Sequence, residues 1–404
     1  MQLNNQLHQG NKLSFMKSLF KPTAAVIFIL PIFLLLSAKK KENKIPEHTA
    51  KEVKPAPKIQ VAILLDVSNS MDGLIQQAKA QLWNMVSVMG KAKCNEVTPQ
   101  IEIALYEYGR SSNDIKQGYV KQVSGFTNNL DELSKKLFGL TTNGGDEYCG
   151  HVIHNSVNQL NWDTAASNYK VIFIAGNEDF LQGDIVYTRA CTEATKKGIL
   201  INTIYCGDRM QGLQEHWNLG SECGGGSFTN INQDAKTEEI PTPYDSMLFV
   251  YNEKLNDTYI GYGDEGAKSY ETQADMDKMN YSLSKSAAVQ RIGVKGKKEL
   301  YKNSNWDLVD KAVYDSVGFS KLDMKTLPDS LKNKSRKELE KIVKAKNIER
   351  SNIQQQIARL YTKRETFIAN AKLKQGTKNA DNTLETAIEK IIKQQARKHH
   401  MIID

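Results

Sequence analysis

Proline is scarce, nine in 404 residues, which excludes a proline-rich chain. The five cysteines contain no C-x-x-C pair, so neither a dithiol redox motif nor a zinc ribbon has support. G-x-S-x-G is missing, and no His stands where a serine triad would need one. Gly224-Gly225-Gly226 follows no buried strand and leads into no Lys-Ser/Thr, so it is not a phosphate loop. Trp162, Trp217 and Trp306 form no aromatic stripe interleaved with basic residues, and no internal repeat is present. What the chain does have is core-forming material: 40% of its residues are hydrophobic and 25% charged, which excludes a wholly disordered protein.

The net charge of +8 is not spread evenly. Residues 1–58 carry ten Lys against three Glu, and residues 331–404 carry 18 Lys or Arg against eight acids. The middle, 59–330, is left with 26 positive and 35 negative side chains. An acidic body between basic ends argues against nucleic-acid binding and suits a cation site.

Residues 1–22 hold Lys12, Lys17 and Lys21 and no acid, and an apolar run follows over 23–38 before Lys39, Lys40 and Lys41. A basic start and a run of this length read as an export signal peptide, somewhat short for a spanning helix. Leu36 stands where a cleavage site wants a small residue, so removal and retention as an N-terminal membrane anchor are both open. Either one places the body in the cell envelope, periplasmic or on an outer face. All five cysteines fall in the acidic middle, where one or two disulfides would persist in such a compartment. Residues 39–57 are charged and proline-bearing, a solvated linker.

From residue 58 the chain alternates. Apolar runs at 59–65, 101–106, 169–175 and 199–205 read as strands buried on both faces, with a short last strand at 228–231. Helical spacing appears over 74–89, 130–138, 152–160 and 185–197. This order predicts a doubly wound α/β domain over 58–235, a mainly parallel sheet flanked by helices. Residues 236–330 read as an irregular and helical extension packed on it. Residues 331–404, opened by the capping-box pattern Ser335-Arg-Lys-Glu338, read as a basic helical hairpin or coiled coil. In parallel sheets ligands bind beyond the carboxyl ends of the strands.

Asp66-Val-Ser68-Asn-Ser70 stands at such an end, between the first strand and the first helix. One carboxylate and two hydroxyls at alternate positions offer three oxygens to one point, the donor type that Mg²⁺ requires. D-x-S-x-S after an apolar strand, with this order of elements, resembles the von Willebrand factor A-type (vWA) domain and its metal-ion-dependent adhesion site. The resemblance covers roughly 58–235. It implies a cation, Mg²⁺ or in its place Mn²⁺ or Ca²⁺, bound directly by Ser68 and Ser70 and through water by Asp66. It also implies a ligand from a second loop, where Leu140-Thr-Thr-Asn-Gly-Gly-Asp-Glu147 puts Asp146 at the ligand position and Thr142 as the substitute. A third ligand, an Asp after the fourth strand, falls here on Gly176, leaving Glu178 or Asn177 to reach that space. An acidic side chain of a protein ligand would fill the open coordination position.

Three readings of function follow. The first is a binding protein that holds a protein partner through the cation, exported and tethered by its N-terminal segment. The second keeps the fold as a scaffold without metal, with binding on the helical C-terminal region. The third is a metal-dependent phosphohydrolase, since a buried strand followed by Asp also begins the haloacid-dehalogenase type; the acid needed two residues on is Ser68 here, which argues against an enzyme. Cys149-Gly-His151-Val-Ile-His154 looks ligand-like, but two His on one helix face need further partners for zinc.

Overall fold

The structure is a computed structural model that describes residues 56–235, 239–375 and 383–403. The apolar run 23–38 lies outside the described residues, as does nearly all of the linker 39–57. Among the described residues no helix is long and apolar enough to cross a membrane.

Six strands form one sheet: β1 (Lys58–Asp66), β2 (Gln100–Tyr108), β3 (Lys121–Thr127), β4 (Tyr169–Gly176), β5 (Leu200–Cys206) and β6 (Gly225–Ile231). Their order is β3-β2-β1-β4-β5-β6, with every neighbouring pair parallel except the antiparallel β2–β3. β3 is the strand that sequence pattern does not announce. KQVSGFT is polar, sits at the edge, and buries one face only in part. The central β1 alternates as a two-faced strand must: Ile59, Val61 and Leu65 enter one core, Ala62 and Leu64 the other.

The second of these cores is closed by neighbours in the chain, α3 (Cys149–Gln159), α4 (Tyr187–Lys196) and α6 (Trp217–Cys223), the last preceded by the short α5 (Arg209–Gln214). The first core is closed by α1 (Asp72–Met89) and α2 (Leu130–Phe138) and then by helices from far away in sequence. The region 239–330, expected to be partly irregular, is mainly helical: α7 (Asp245–Asn256), α8 (Gly266–Leu283), α9 (Lys285–Lys295), α10 (Leu308–Tyr314), α11 (Ser316–Ser320) and α12 (Asp329–Lys332). α13 (Arg336–Gln375) runs for 40 residues, and α14 (Leu384–Ala396) follows.

These last two helices correct the expectation of a hairpin or coiled-coil stalk. α13 begins at the expected capping box, Ser335 N–H bonding Glu338 Oε2 at 2.8 Å and Glu338 N–H bonding Ser335 Oγ at 3.3 Å. It then lies on α7, α9 and α10, with Ile353, Ile357 and Tyr361 in the first core. α14 packs on α1 and β6, and its Leu384, Ile388, Ile391 and Ile392 enter the same core. Each such buried aliphatic side chain is worth about 2 kcal/mol, which outweighs anything a solvated stalk would offer them. A buried amide pair fixes the register: Gln395 Nε2 donates to Asn202 Oδ1 at 2.7 Å, and Asn202 Nδ2 donates back to Gln395 Oε1 at 3.1 Å.

Buried ion pairs join the helices to the α/β body and to one another. Arg291 of α9 is held by Asp131 of α2 and Asp277 of α8, and Lys295 bonds Asp277 at 2.9 Å. Arg350 of α13 bonds Asp307 and Asp310, each at 2.7 Å. Residues 54–404 form one compact unit, so the boundary expected near 235 does not divide the core. All five cysteines are free thiols in it.

Candidate functional site

β1 ends at Asp66 in the middle of the sheet, level with the last residues of the strands on either side, Tyr108 of β2 and Gly176 of β4. The chain then makes a 3-10 turn (Asn69–Met71) before α1, and this turn folds Ser68 and Ser70 over the strand end. Asp66 is fully buried. Its Oδ1 accepts the Ser68 N–H at 2.7 Å, and its Oδ2 is buried without a hydrogen-bond partner. Desolvation pushes the Asp66 carboxyl up to about 7; bonds from Ser68 and from the Asn177 N–H pull the other way, and the charge of Glu178 adds to the rise.

The two hydroxyls meet: Ser68 Oγ lies 3.3 Å from Ser70 Oγ. Ser70 Oγ also donates to Asn177 Oδ1 at 3.3 Å, which brings the residue after β4 to the same point. Gly176 has a steric reason. A Cβ there would stand 2.5 Å from the Tyr108 hydroxyl and 3.0 Å from Asp66 Oδ2. Tyr108, buried on β2, donates to the Ala175 carbonyl at 3.0 Å and occupies the space beneath the strand end.

The second loop is pinned to the first by Asn143 N–H on the Val67 carbonyl at 2.8 Å, and to the segment after β2 by Ser111 N–H on the Gly144 carbonyl at 2.9 Å. Its residues divide differently from the sequence expectation. Asp146 is exposed and accepts the Tyr148 hydroxyl at 3.2 Å. Thr142 donates to Asp72 Oδ1 at 2.6 Å. Glu147 is the buried acid of the loop, and its Oε2 has no hydrogen-bond partner. Glu147 and Asp66 flank the same glycine: a Cβ at Gly109 would lie 2.8 Å from Glu147 Cγ and 2.8 Å from Asp66 Oδ1. The chain passes between the two acids because Gly109 has no side chain and adopts a φ of +80°. The only sequence signal for Glu147 was its place next to Asp146; Gly109, directly after β2, was the clue to the close approach.

The structure therefore gathers Asp66, Ser68, Ser70 and Asn177, with Glu147 across Gly109 from Asp66. Glu178 is exposed and acts on Asp66 through its charge. Among the described residues no group of three or more His, Cys, Asp and Glu converges as a metal cluster. His154 Nδ1 instead sits 2.6 Å from Glu193 and the His151 ring lies 5.2 Å from that of Tyr148. A cation at Asp66 would thus rest chiefly on hydroxyl and amide oxygens. The residues fit one: cis ligands of an octahedral ion at roughly 2.1 Å are about 3 Å apart, close to the spacing of the two hydroxyls, and the orphaned carboxylate oxygen lacks a positive partner.

A parallel sheet with one antiparallel edge, its central strand delivering D-x-S-x-S to the carboxyl edge, decides the architecture. The α/β body has the von Willebrand factor A-type fold. No protein-family model matches the chain, and no curated protein does. Solved structures with which it shares a likeness include proximal thread matrix protein 1 from the mussel byssus, at 14% identity and a TM-score of 0.33, over 44% of this chain and 43% of that one. The chain thus spans less than half of the mussel protein's length. Another structure of that protein, at 13% identity and the same TM-score of 0.33, is described as having a zinc-occupied MIDAS motif and is matched over 43% of this chain and 42% of that one. An aerotolerance-related membrane protein from Bacteroides fragilis is 15% identical over 44% of this chain and 93% of its own, with a TM-score of 0.30. These likenesses concern the fold alone, and the vWA assignment rests on strand order and connection.

Proposed function

We propose that the vWA body is a binding module that holds a protein partner through a divalent cation at the end of β1. The observation that carries this reading is Asp66 Oδ2, buried without a partner beneath two hydroxyls 3.3 Å apart. Ser68 and Ser70 would hold the ion, Asp66 would neutralise it from below, and Asn177 and Glu147 would complete the oxygen set. A hard cation such as Mg²⁺, or Mn²⁺ or Ca²⁺ in its stead, supplies a positive charge with open positions at which a partner's carboxylate can bind. The remaining residues orient: Ser68 N–H fixes the carboxylate, and the pinned second loop closes one side. We read this as recognition rather than catalysis, because the position two residues after Asp66 offers Ser68, which is no general acid. The N-terminal run 23–38 supports a cell-envelope location, periplasmic or outer face, for this module.

The scaffold reading has one observation in its favour, Gly176 where the vWA pattern has an acid. Calorimetry of Mg²⁺ and Mn²⁺ against wild type and Ser68→Ala separates the two. Saturable heat in wild type that is lost in Ser68→Ala supports the cation site. Equal heats for both proteins overturn it, and a partner captured equally well with and without EDTA would put binding elsewhere on the chain.

A further inference from the structure

We infer that the edge of the sheet at which the chain enters β1 is a docking face for an anionic phospholipid surface. The inference is independent of the cation site, which lies at the opposite edge. The two edges carry opposite charge. The segments beyond the carboxyl ends (66–72, 109–120, 140–148, 177–186, 207–216 and 232–235) hold eleven Asp or Glu against three Lys or Arg. At the other edge, segments 90–99, 161–168, 196–199, 296–299 and 397–403 hold eight Lys or Arg against three Asp or Glu.

These basic segments come from distant parts of the chain and are brought together by the fold. Lys93 N–H bonds the Ile402 carbonyl, and Ile402 N–H bonds the Lys93 carbonyl, each at 2.9 Å, which seats the C-terminal segment with Lys398 beside the 90–99 turn. Lys91 and Lys93 in turn face Lys297, lowering its pKa after burial has done so, while Glu365 and Glu299 work against the fall. Like charges gathered at one edge cost stability through repulsion, and an anionic surface removes that cost.

A second observation points to lipid and not to a soluble polyanion. Val97 is 48% exposed and Ile402 is 61% exposed, both on this edge. Val97 caps the tight turn that it closes with Cys94, directly beside the Lys93–Ile402 pair. Two exposed aliphatic side chains on a lysine-bearing edge are what enters the acyl boundary of a bilayer while the ammonium groups remain among headgroups. Pro57 accepts the Gln100 N–H at 2.8 Å at this same edge, so the linker that follows the apolar run 23–38 joins the body here. A body docked this way presents the Asp66 site to the compartment and away from the lipid.

The test uses the full chain in nanodiscs of phosphatidylcholine alone and of phosphatidylcholine with phosphatidylglycerol. Each lysine's rate of acetylation is read by mass spectrometry. Lys91, Lys93 and Lys398 should react several-fold more slowly on the anionic discs, and Lys116 at the opposite edge should not change. About 1 M salt, with a screening length of about 3 Å, should abolish most of the difference. Lys91→Glu/Lys93→Glu should weaken protection at Lys398 by at least about fivefold per charge. Val97→Ser, which removes no charge and lies on an exposed turn, should weaken it further at high salt. Equal rates on both discs overturn the inference. So does equal or stronger protection by a DNA oligonucleotide on neutral discs, an outcome that would assign the face to nucleic acid.

Discussion

Two sets of buried carboxylates sit in this molecule and are treated in opposite ways. Under the helical extension, Asp277 meets Lys295 and Arg291, and Arg291 continues to Asp131. Desolvation works to raise Asp277, but the two cations overcome it and hold the carboxyl well below its ordinary range. At the end of β1 the chain supplies Asp66 with the N–H groups of Ser68 and Asn177, the Ser68 hydroxyl and no cation, and desolvation wins. A buried ion costs several kcal/mol unless it is paired. The first set has its counter-ions built in, which makes it part of the fold. The second lacks one, which makes it a place for a positive guest.

The largest break in this comparison comes from removing a built-in cation. Arg291→Met should cost about 3–5 kcal/mol, because it leaves Asp131 and Asp277 buried with less compensation. Urea unfolding measures it. Arg291→Met/Asp277→Asn should recover part of the loss, since one of the stranded charges is then gone. A cost below about 1 kcal/mol for the single substitution would mean that these pairs are incidental to the union of body and extension.

Acid separates the two sets next. Asp66 has a folded-state pKa of about 7 against an ordinary value of 3.8. The folded chain therefore holds that proton more tightly than the unfolded chain does. The stabilisation is fully present below pH 3.8 and is lost as pH rises toward about 7. A shift of this size corresponds to roughly 2–4 kcal/mol once relaxation of the site is allowed for. Asp277 has the opposite sign: its contribution is present above the ordinary carboxylate range and is lost as pH falls through and below it. In EDTA, stability by urea titration should thus decline from about pH 5 to about pH 7.5 in wild type. Asp66→Asn should flatten that decline, and saturating Mg²⁺ should lift the wild type at the upper pH. A wild-type profile identical to that of Asp66→Asn would remove the case for an uncompensated charge at the site.

The strands were legible because continuous apolar runs such as 59–65 and 169–175 have no other place than a doubly covered sheet. Asp66, Ser68 and Ser70 were legible for a related reason: a polar triplet directly after such a run must stand at the sheet's edge. Asp146 and Glu147 show the limit. They are adjacent and chemically alike, and which one is buried depends on Gly109, a residue of a different strand's end. α14 shows another limit. Its Leu384, Ile388, Ile391 and Ile392 announce one apolar face, but an apolar stripe does not say what covers it. The answer, a sheet formed some two hundred residues earlier, is a tertiary fact. Polar β3 failed for want of a second buried face.

Gly176 offers the finest test, because its departure from the vWA pattern is visible in sequence and its cause is not. The Tyr108 hydroxyl occupies the space that a side chain at 176 would need, 2.5 Å from the position of its Cβ. Gly176→Asp, the substitution that would copy the pattern, should therefore cost about 1–3 kcal/mol through overpacking. With that space taken by Tyr108 the new carboxylate is displaced from the ion, so it should bring no gain in Mg²⁺ affinity. Tyr108→Phe removes the obstructing oxygen. In Gly176→Asp/Tyr108→Phe the stability loss should shrink, and Mg²⁺ should bind more tightly than to wild type, because the added acid then has room to face the ion. Unfolding curves and calorimetry on the same four proteins decide it. Tighter Mg²⁺ binding by Gly176→Asp alone, at unchanged stability, would show that Tyr108 does not shape the site and that the chain dispenses with the third acid for a reason outside this contact.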